Sequence, residues 1–229
     1  MFLNREDAAR QLARRLKGRE MHDPLVLAIP RGGVVTGAVL ATELDADLDI
    51  VLSRKLRAPE QPELAIGAVS EDGQVYLNRL GRQFVGELEG YLDEERRYQL
   101  AEIARRKTLF REVRPEATIT DRTVIVTDDG IATGSTMIAA LQVVKTLRPR
   151  EVIVAVPVAP PDRLKEIRQW CDEVVCLSAT DRFQSVGQFY SDFRQIDDQE
   201  VVELLNAFTL DSPTRRAGDS QRPEQTASI

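Results

Sequence analysis

Residues 123–136 read TVIVTDDGIATGST. A run of β-branched residues ends in two adjacent aspartates, Asp128 and Asp129, and a loop of small residues follows at once. The run is short, apolar and bounded by turn residues, which predicts a buried strand over 123–129. The next segment, TMIAALQVVKTL (136–147), predicts a helix. The loop containing Ala132, Thr133, Gly134, Ser135 and Thr136 therefore sits at a strand–helix junction. Backbone N–H groups at the helix start, with the Thr and Ser hydroxyls, make an anion site there without needing a cation. Two carboxylates beside an anion site would repel each other's ligands, unless one ligand offers hydroxyls to the acids and an anionic group to the loop.

Outward from this stretch, apolar runs alternate with helical segments. LVLAIP (25–30), DLDIVLSRK (47–55), EVIVAVPVAP (151–160) and EVVCLSA (173–179) predict further strands. Helices are predicted over 4–18, with Asn4 as cap and Gly18 as stop, and over 32–44, 161–170 and 197–208. Unbroken apolar strands alternating with helices predict an α/β fold, a mostly parallel central sheet covered by helices on both faces. Ligands of such sheets bind beyond the carboxyl ends of the strands. The ends to watch are Pro30-Arg31-Gly32-Gly33, Ser53-Arg54-Lys55, Asp128-Asp129 and Val156-Pro157. RAPEQPEL (57–64), with two prolines and no periodicity, predicts a loop, and 65–78 a hairpin turning at Glu71-Asp72-Gly73. Residues 79–112 predict a charged helical insertion. Over 96–114, Arg96, Arg97, Arg105, Arg106, Lys107, Arg111 and Arg114 are interleaved with glutamates, which predicts a solvated face or a homodimer contact rather than an RNA-binding surface. The division expected is one domain over 1–210, with 181–210 as a hood and last helix. The polar segment 211–229 is expected to be a disordered tail.

Composition narrows the chemistry. The 229 residues are 42% hydrophobic and 30% charged, an ordinary globular balance for a single α/β domain. The net charge of −6 argues against a general nucleic-acid partner, though not against a local basic site. Cys171 and Cys176 lack the companions of a zinc site and read as reduced thiols. His22 is the single histidine and falls in a loop sequence, so histidine-based triads and two-histidine metal sites are not expected. No apolar run reaches the roughly 18 residues of a membrane helix, and the charged start MFLNREDAAR has no signal-like segment. The expectation is a cytoplasmic protein without a membrane partner.

The opening stretch does not spell a P-loop, because Ser135 stands where lysine is required, and Gly32, Gly33 and Gly37 do not spell a dinucleotide fingerprint. A strand, an acidic pair, a small loop ending T-G-S-T and a helix resemble the signature that binds 5-phosphoribosyl-1-pyrophosphate (PRPP). On these residues the chain resembles the type I phosphoribosyltransferases, and most of all stand-alone members with an undefined acceptor. The resemblance covers 25–55 and 121–180. It implies that Asp128 and Asp129 take ribose hydroxyls and that Ala132, Thr133, Gly134, Ser135 and Thr136 take the 5-phosphate. It implies too that Arg31, Gly32 and Gly33, in a loop that in this family often carries a non-proline cis peptide, hold pyrophosphate with Arg54 and Lys55. Mg²⁺ would arrive on the PRPP oxygens, without a dedicated protein metal site. The reaction implied is displacement of pyrophosphate by a nitrogen acceptor, a small molecule of nucleobase type. Asp128, Asp129, Arg54 and Lys55 would be the catalytic group.

Ala132 stands where hypoxanthine/guanine members carry an acid–base aspartate, a point in which this chain is similar to adenine and orotate members. Glu60 or Glu63 could play the glutamate that adenine members draw from the flexible loop, which 57–78 resembles. The orotate family's lysine-rich loop has no counterpart in 57–64. Phe183, Phe189, Tyr190 and Phe193, together with the N-terminal helix, are hood candidates that could stack on a planar base. The alternative function is a PRPP-sensing regulator. A PRPP synthetase is disfavoured by the chain's shortness. Asp129→Asn is expected to weaken PRPP binding, as calorimetry would measure, with folding largely intact.

Overall fold

The computed structural model describes residues 1–59, 61–83 and 89–210. In chain order its first elements are α1 (Arg5–Leu16), β1 (Leu25–Ala28), α2 (Gly32–Glu43), β2 (Asp47–Ile50), β3 (Ser53–Ala58), β4 (Gln61–Ser70), β5 (Val75–Leu77), α3 (Arg79–Gln83) and α4 (Glu89–Arg111). There follow β6 (Thr123–Thr127), α5 (Ser135–Thr146), β7 (Glu151–Ala159), α6 (Pro161–Ile167), β8 (Glu173–Ala179), a 3₁₀ turn at Val186–Phe189 and α7 (Asp198–Leu210).

Five strands form a parallel sheet in the order β2-β1-β6-β7-β8, as the alternating pattern predicts. Successive residues of each strand point to opposite faces, and both faces are apolar. Val26, Ala28, Leu48, Ile50, Ile125 and Ile153 pack with Leu12 and Leu16 of α1, Val34 and Leu40 of α2, and Val201 and Leu205 of α7. Leu25, Leu27, Val124, Val126, Val152 and Val154 face the other way, onto Ile138, Leu141 and Val144 of α5 and Leu164 and Ile167 of α6. Strand order reverses between β1 and β6, and the crevice at such a point is where parallel sheets take their ligands. The register makes the strand ends level: Ala28 lies beside both Ile50 and Thr127. The segments after β1, β2 and β6 therefore leave the sheet side by side.

Two sequence expectations change here. The strand expected over 47–55 is two strands. Val51 N–H still donates to Ala28 O at 3.0 Å, but from Ser53 the chain joins a separate antiparallel sheet, β3-β4-β5. Of the loop expected over 57–64, residues 57–58 belong to β3 and 61–64 to β4. Arg57 pairs with Ala65 and Ala58 with Gln61, so 62–64 bulge out of register and Pro62 interrupts no ladder bond. The turn at 71–73 is as expected, with Gly73 at φ 82°. Glu60 lies outside the described residues, as do the side chain of Glu63 and the segment 211–229.

The helical insertion is not solvated all round. Glu95, Gln99, Ile103 and Phe110 of α4 are buried, at spacings that put them on one face. Glu95 grips Arg57 of β3 through Nε at 2.7 Å and Nη2 at 2.9 Å, and also accepts the Arg57 N–H at 3.1 Å. Gln99 donates to Glu95 at 2.8 Å, and the Tyr91 hydroxyl donates to Arg57 O at 3.0 Å. A polar stripe of α4 thus clamps β3, the strand that starts with Ser53, Arg54 and Lys55. Among the described residues no helix is long and apolar enough to cross a membrane.

Candidate functional site

The peptide from Pro30 to Arg31 is cis, and α2 begins at once with Gly32 and Gly33. This turn lies directly against the acidic pair. A Cβ on Gly32 would sit 1.9 Å from Asp129 Oδ2, and one on Gly33 would sit 3.0 Å from Asp128 Oδ1 and 3.2 Å from Thr127 O. Only backbone fits between these segments. Asp128 Oδ1 accepts the N–H of Asp129 at 2.8 Å.

Asp129 has a partner that sequence reasoning missed. Arg5, in the first turn of α1, donates from Nε to Asp129 Oδ2 at 2.7 Å and from Nη1 to Arg194 O at 2.9 Å. Its guanidinium also lies over the Phe193 ring, 3.9 Å from the centroid. The side chains of Arg5 and Asp129 are 8% and 13% exposed, so each charge needs the other. An isolated arginine early in an amphipathic helix reads as solvated; its partner is 124 positions away in the chain. The Tyr190 hydroxyl, donating to Asp129 O at 2.5 Å, was equally invisible as a tether.

The predicted cations gather on the same side. One cavity of about 420 Å³ is lined by Arg5, Pro30, Arg31, Gly32, Ser53, Arg54, Lys55, Arg106, Asp129 and Thr136, closed by Phe193, Gln195 and Ile196. Ser53 Oγ donates to Thr136 O at 2.9 Å, tying β3 to the start of α5. Gln99 of α4 accepts from Arg54 Nε at 2.5 Å and fixes that side chain.

The T-G-S-T loop divides its side chains between roles. Gly134, at φ 78°, precedes α5, and no side chain among the described residues caps the helix, so its first N–H groups meet the loop mouth. Ser135 is fully buried, and its hydroxyl accepts from Asn78 Nδ2 at 3.4 Å, so this side chain faces inward. Thr136 lines the cationic cavity, while Ala132 and Thr133 line a second cavity of about 420 Å³ with Pro160, Asp162, Arg163, Asp181, Phe183 and Gln184. The hood aromatics separate likewise. Phe183 lines that second cavity, whereas Tyr190 packs between Phe2, at 5.4 Å, and Phe193, at 5.0 Å. Phe2 N–H donates to Phe189 O at 2.8 Å, so the chain start and the hood segment pair with each other.

A family model described as "Phosphoribosyl transferase domain" matches residues 2–194. The chain belongs to this family. A protein of Mycobacterium tuberculosis H37Rv named "Putative phosphoribosyl transferase Rv0571c" is 42% identical over 206 residues, 90% of this chain. The chain spans about half the length of that relative, 46%. The crystal structure of TT1426 from Thermus thermophilus is similar with a TM-score of 0.76 at 40% identity, covering 90% of this chain and 98% of that one.

In this phosphoribosyl transferase domain the acidic pair is under electrostatic tension. Burial and then the neighbouring Asp129 charge push the Asp128 carboxyl well above its ordinary range. Burial raises Asp129 also, against the pull of Arg5. A carboxyl whose folded pKa exceeds its unfolded value, about 3.9, destabilises the fold once ionised. That cost grows as pH rises from the unfolded value through the folded one. Asp128→Asn keeps the acceptor for Asp129 N–H and removes the charge. Thermal melts should show the variant a few degrees more stable than the parent at about pH 7, with the gap closing near pH 3; a variant less stable at neutral pH would show the ionised carboxylate to be a structural anchor. Asp129→Asn, expected from the sequence to leave folding largely intact, would also strand Arg5 without its counter-charge, so a loss of stability is expected with it.

Proposed function

We propose that this domain transfers the 5-phosphoribosyl group of PRPP to a nitrogen acceptor of nucleobase type and releases pyrophosphate. The observation that supports this best is the meeting, at one level edge of the sheet, of the Asp128–Asp129 pair with the Arg31–Gly33 turn and the Arg54–Lys55 pair. A sugar carrying vicinal hydroxyls between two anionic groups matches that order. Asp128 and Asp129 receive the ribose hydroxyls. The uncapped start of α5, with Ala132, Thr133, Gly134 and Thr136, receives the 5-phosphate. The Gly32–Gly33 backbone, Arg31, Arg54 and Lys55 receive the pyrophosphate. Cations gathered in this way suit a leaving group more than they suit a sensor, which need not stabilise departing charge.

The acceptor nitrogen forms its bond to C1 of the ribose as the C1–O bond to pyrophosphate breaks, and the bonding pair leaves with the oxygen. The acceptor's proton is released. The ribosyl carbon is cationic in the transition state, so the residues here contribute by placing partners and offsetting charge on the leaving oxygens. Ala132 offers no acid–base group at the loop.

Among the described residues no three His, Cys, Asp or Glu side chains group to hold a metal ion. Two carboxylates, one already paired with Arg5, fit an ion that keeps most of its ligands from water and substrate oxygens. Mg²⁺ so bound would neutralise pyrophosphate oxygens. Asp128, the acid of the two that Arg5 does not pair, is the residue suited to approach it.

Pyrophosphate release from PRPP and Mg²⁺, measured across purine, pyrimidine and pyridine bases, tests the reading. Release with at least one base is expected and would name the acceptor class. Tight PRPP binding with no release across the panel would contradict the transferase and favour a PRPP sensor.

A further inference from the structure

The insertion helix α4 contributes a charge to the cationic cavity that the roles above leave unused. Arg106 lines the cavity with Arg31, Arg54 and Lys55, and its side chain is only 13% exposed. Its Nε is buried without a hydrogen-bond partner among the described residues. The nearest counter-charge is Asp198 Oδ1 at the start of α7, 3.4 Å away, and that oxygen too makes no hydrogen bond among them. Asp198 is already served on its other oxygen by Arg105 Nη2 at 2.7 Å. Arg106 is therefore a buried guanidinium held loosely, beside an open cavity.

The lining contains five cations and one carboxylate. Arg5 and Asp129 neutralise each other, and Arg31, Arg54 and Arg106, with Lys55, line the rest of a space of about 420 Å³. Bringing Arg106 beside Arg31 and Arg54 is costly, and a multivalent anion in the cavity would relieve that cost. Burial, and then the charges of Arg54 and Arg31 acting against the pull of Asp198, disfavour the protonated form of Arg106 and mark the same repulsion.

We propose that Arg106 is an anion-binding residue of this site, a fourth cation that reaches the pyrophosphate group from the helical insertion and is parked on Asp198 when the group is absent. The proposal rests on the phosphoribosyltransferase reading and deepens it: the 79–112 insertion becomes part of the leaving-group site. Arg106 offers a planar fork that can engage two phosphate oxygens at once.

The test is titration of the full-length chain with inorganic pyrophosphate by calorimetry. R106Q should bind about tenfold more weakly than the parent, the loss expected for one charge-assisted contact, and with a shallower salt dependence. R97Q, the same charge change at an exposed position of α4, should bind as the parent does. R106K, which keeps the charge without the fork, should fall between them, and it decides the matter if R106Q does not fold. If the parent binds pyrophosphate and both Arg106 variants match R97Q, the role of Arg106 is refuted while the reading of the cavity stands. If the parent itself does not bind pyrophosphate, the reading of the cavity falls and the proposal with it.

Discussion

The site depends on how closely the backbone at Gly32 approaches the carboxylate of Asp129. A Cβ there would overlap an acid oxygen, so the turn after β1 and the loop after β6 can meet only through glycine. That meeting presupposes level strand ends, which the parallel register supplies, and the bond from Ile29 N–H to Thr127 O at 3.0 Å, which continues the pairing past β1. The carboxylate so enclosed would be a poor charge to bury alone. Arg5 answers it, and α1, the sheet edge and the hood are fixed to one another through that ion pair and the Tyr190 bond to Asp129 O.

The second consequence is electrostatic. A chain with excess acid places its cations where β3 leaves the main sheet, and it holds them there with neutral or acidic groups outside the cavity. Gln99 fixes Arg54, Glu95 fixes Arg57 and Asp198 restrains Arg105 and Arg106. The small sheet and α4 thus bring Arg54 and Arg106 into the cavity that Asp129 also lines. Carboxylates suit hydroxyls and guanidinium groups suit phosphate oxygens, so the cavity offers a ligand that carries both two different kinds of partner.

The parallel sheet was legible because its strands are continuous apolar runs buried on both faces, a pattern that needs no partner to be read. The T-G-S-T loop and the glycine turn were legible as local spellings after strand ends, whereas the Arg54–Lys55 pair, expected at the end of a strand, lies at the start of β3. The roles of Arg5, Gln99, Arg106 and Tyr190 were not legible. Arg5, Gln99 and Arg106 look like ordinary surface residues of charged helices and Tyr190 like a hood aromatic, and each matters through a partner far along the chain. The break between β2 and β3 was hidden because Val51 and Leu52 continue the apolar run while the hydrogen-bond partner changes from β1 to β4. The polar stripe of α4 was hidden in a heavily charged helix, where Glu95 and Gln99 carry no mark of burial until Arg57 is placed beside them.

A crystal structure determined with PRPP and Mg²⁺ would show whether the ligand lies across the acidic pair and the cations as proposed. The ribose hydroxyls should lie on Asp128 and Asp129, the 5-phosphate on the first N–H groups of α5, and the pyrophosphate among Arg31, Arg54 and Lys55. PRPP bound elsewhere, or bound with its pyrophosphate turned away from those cations, would contradict the proposal.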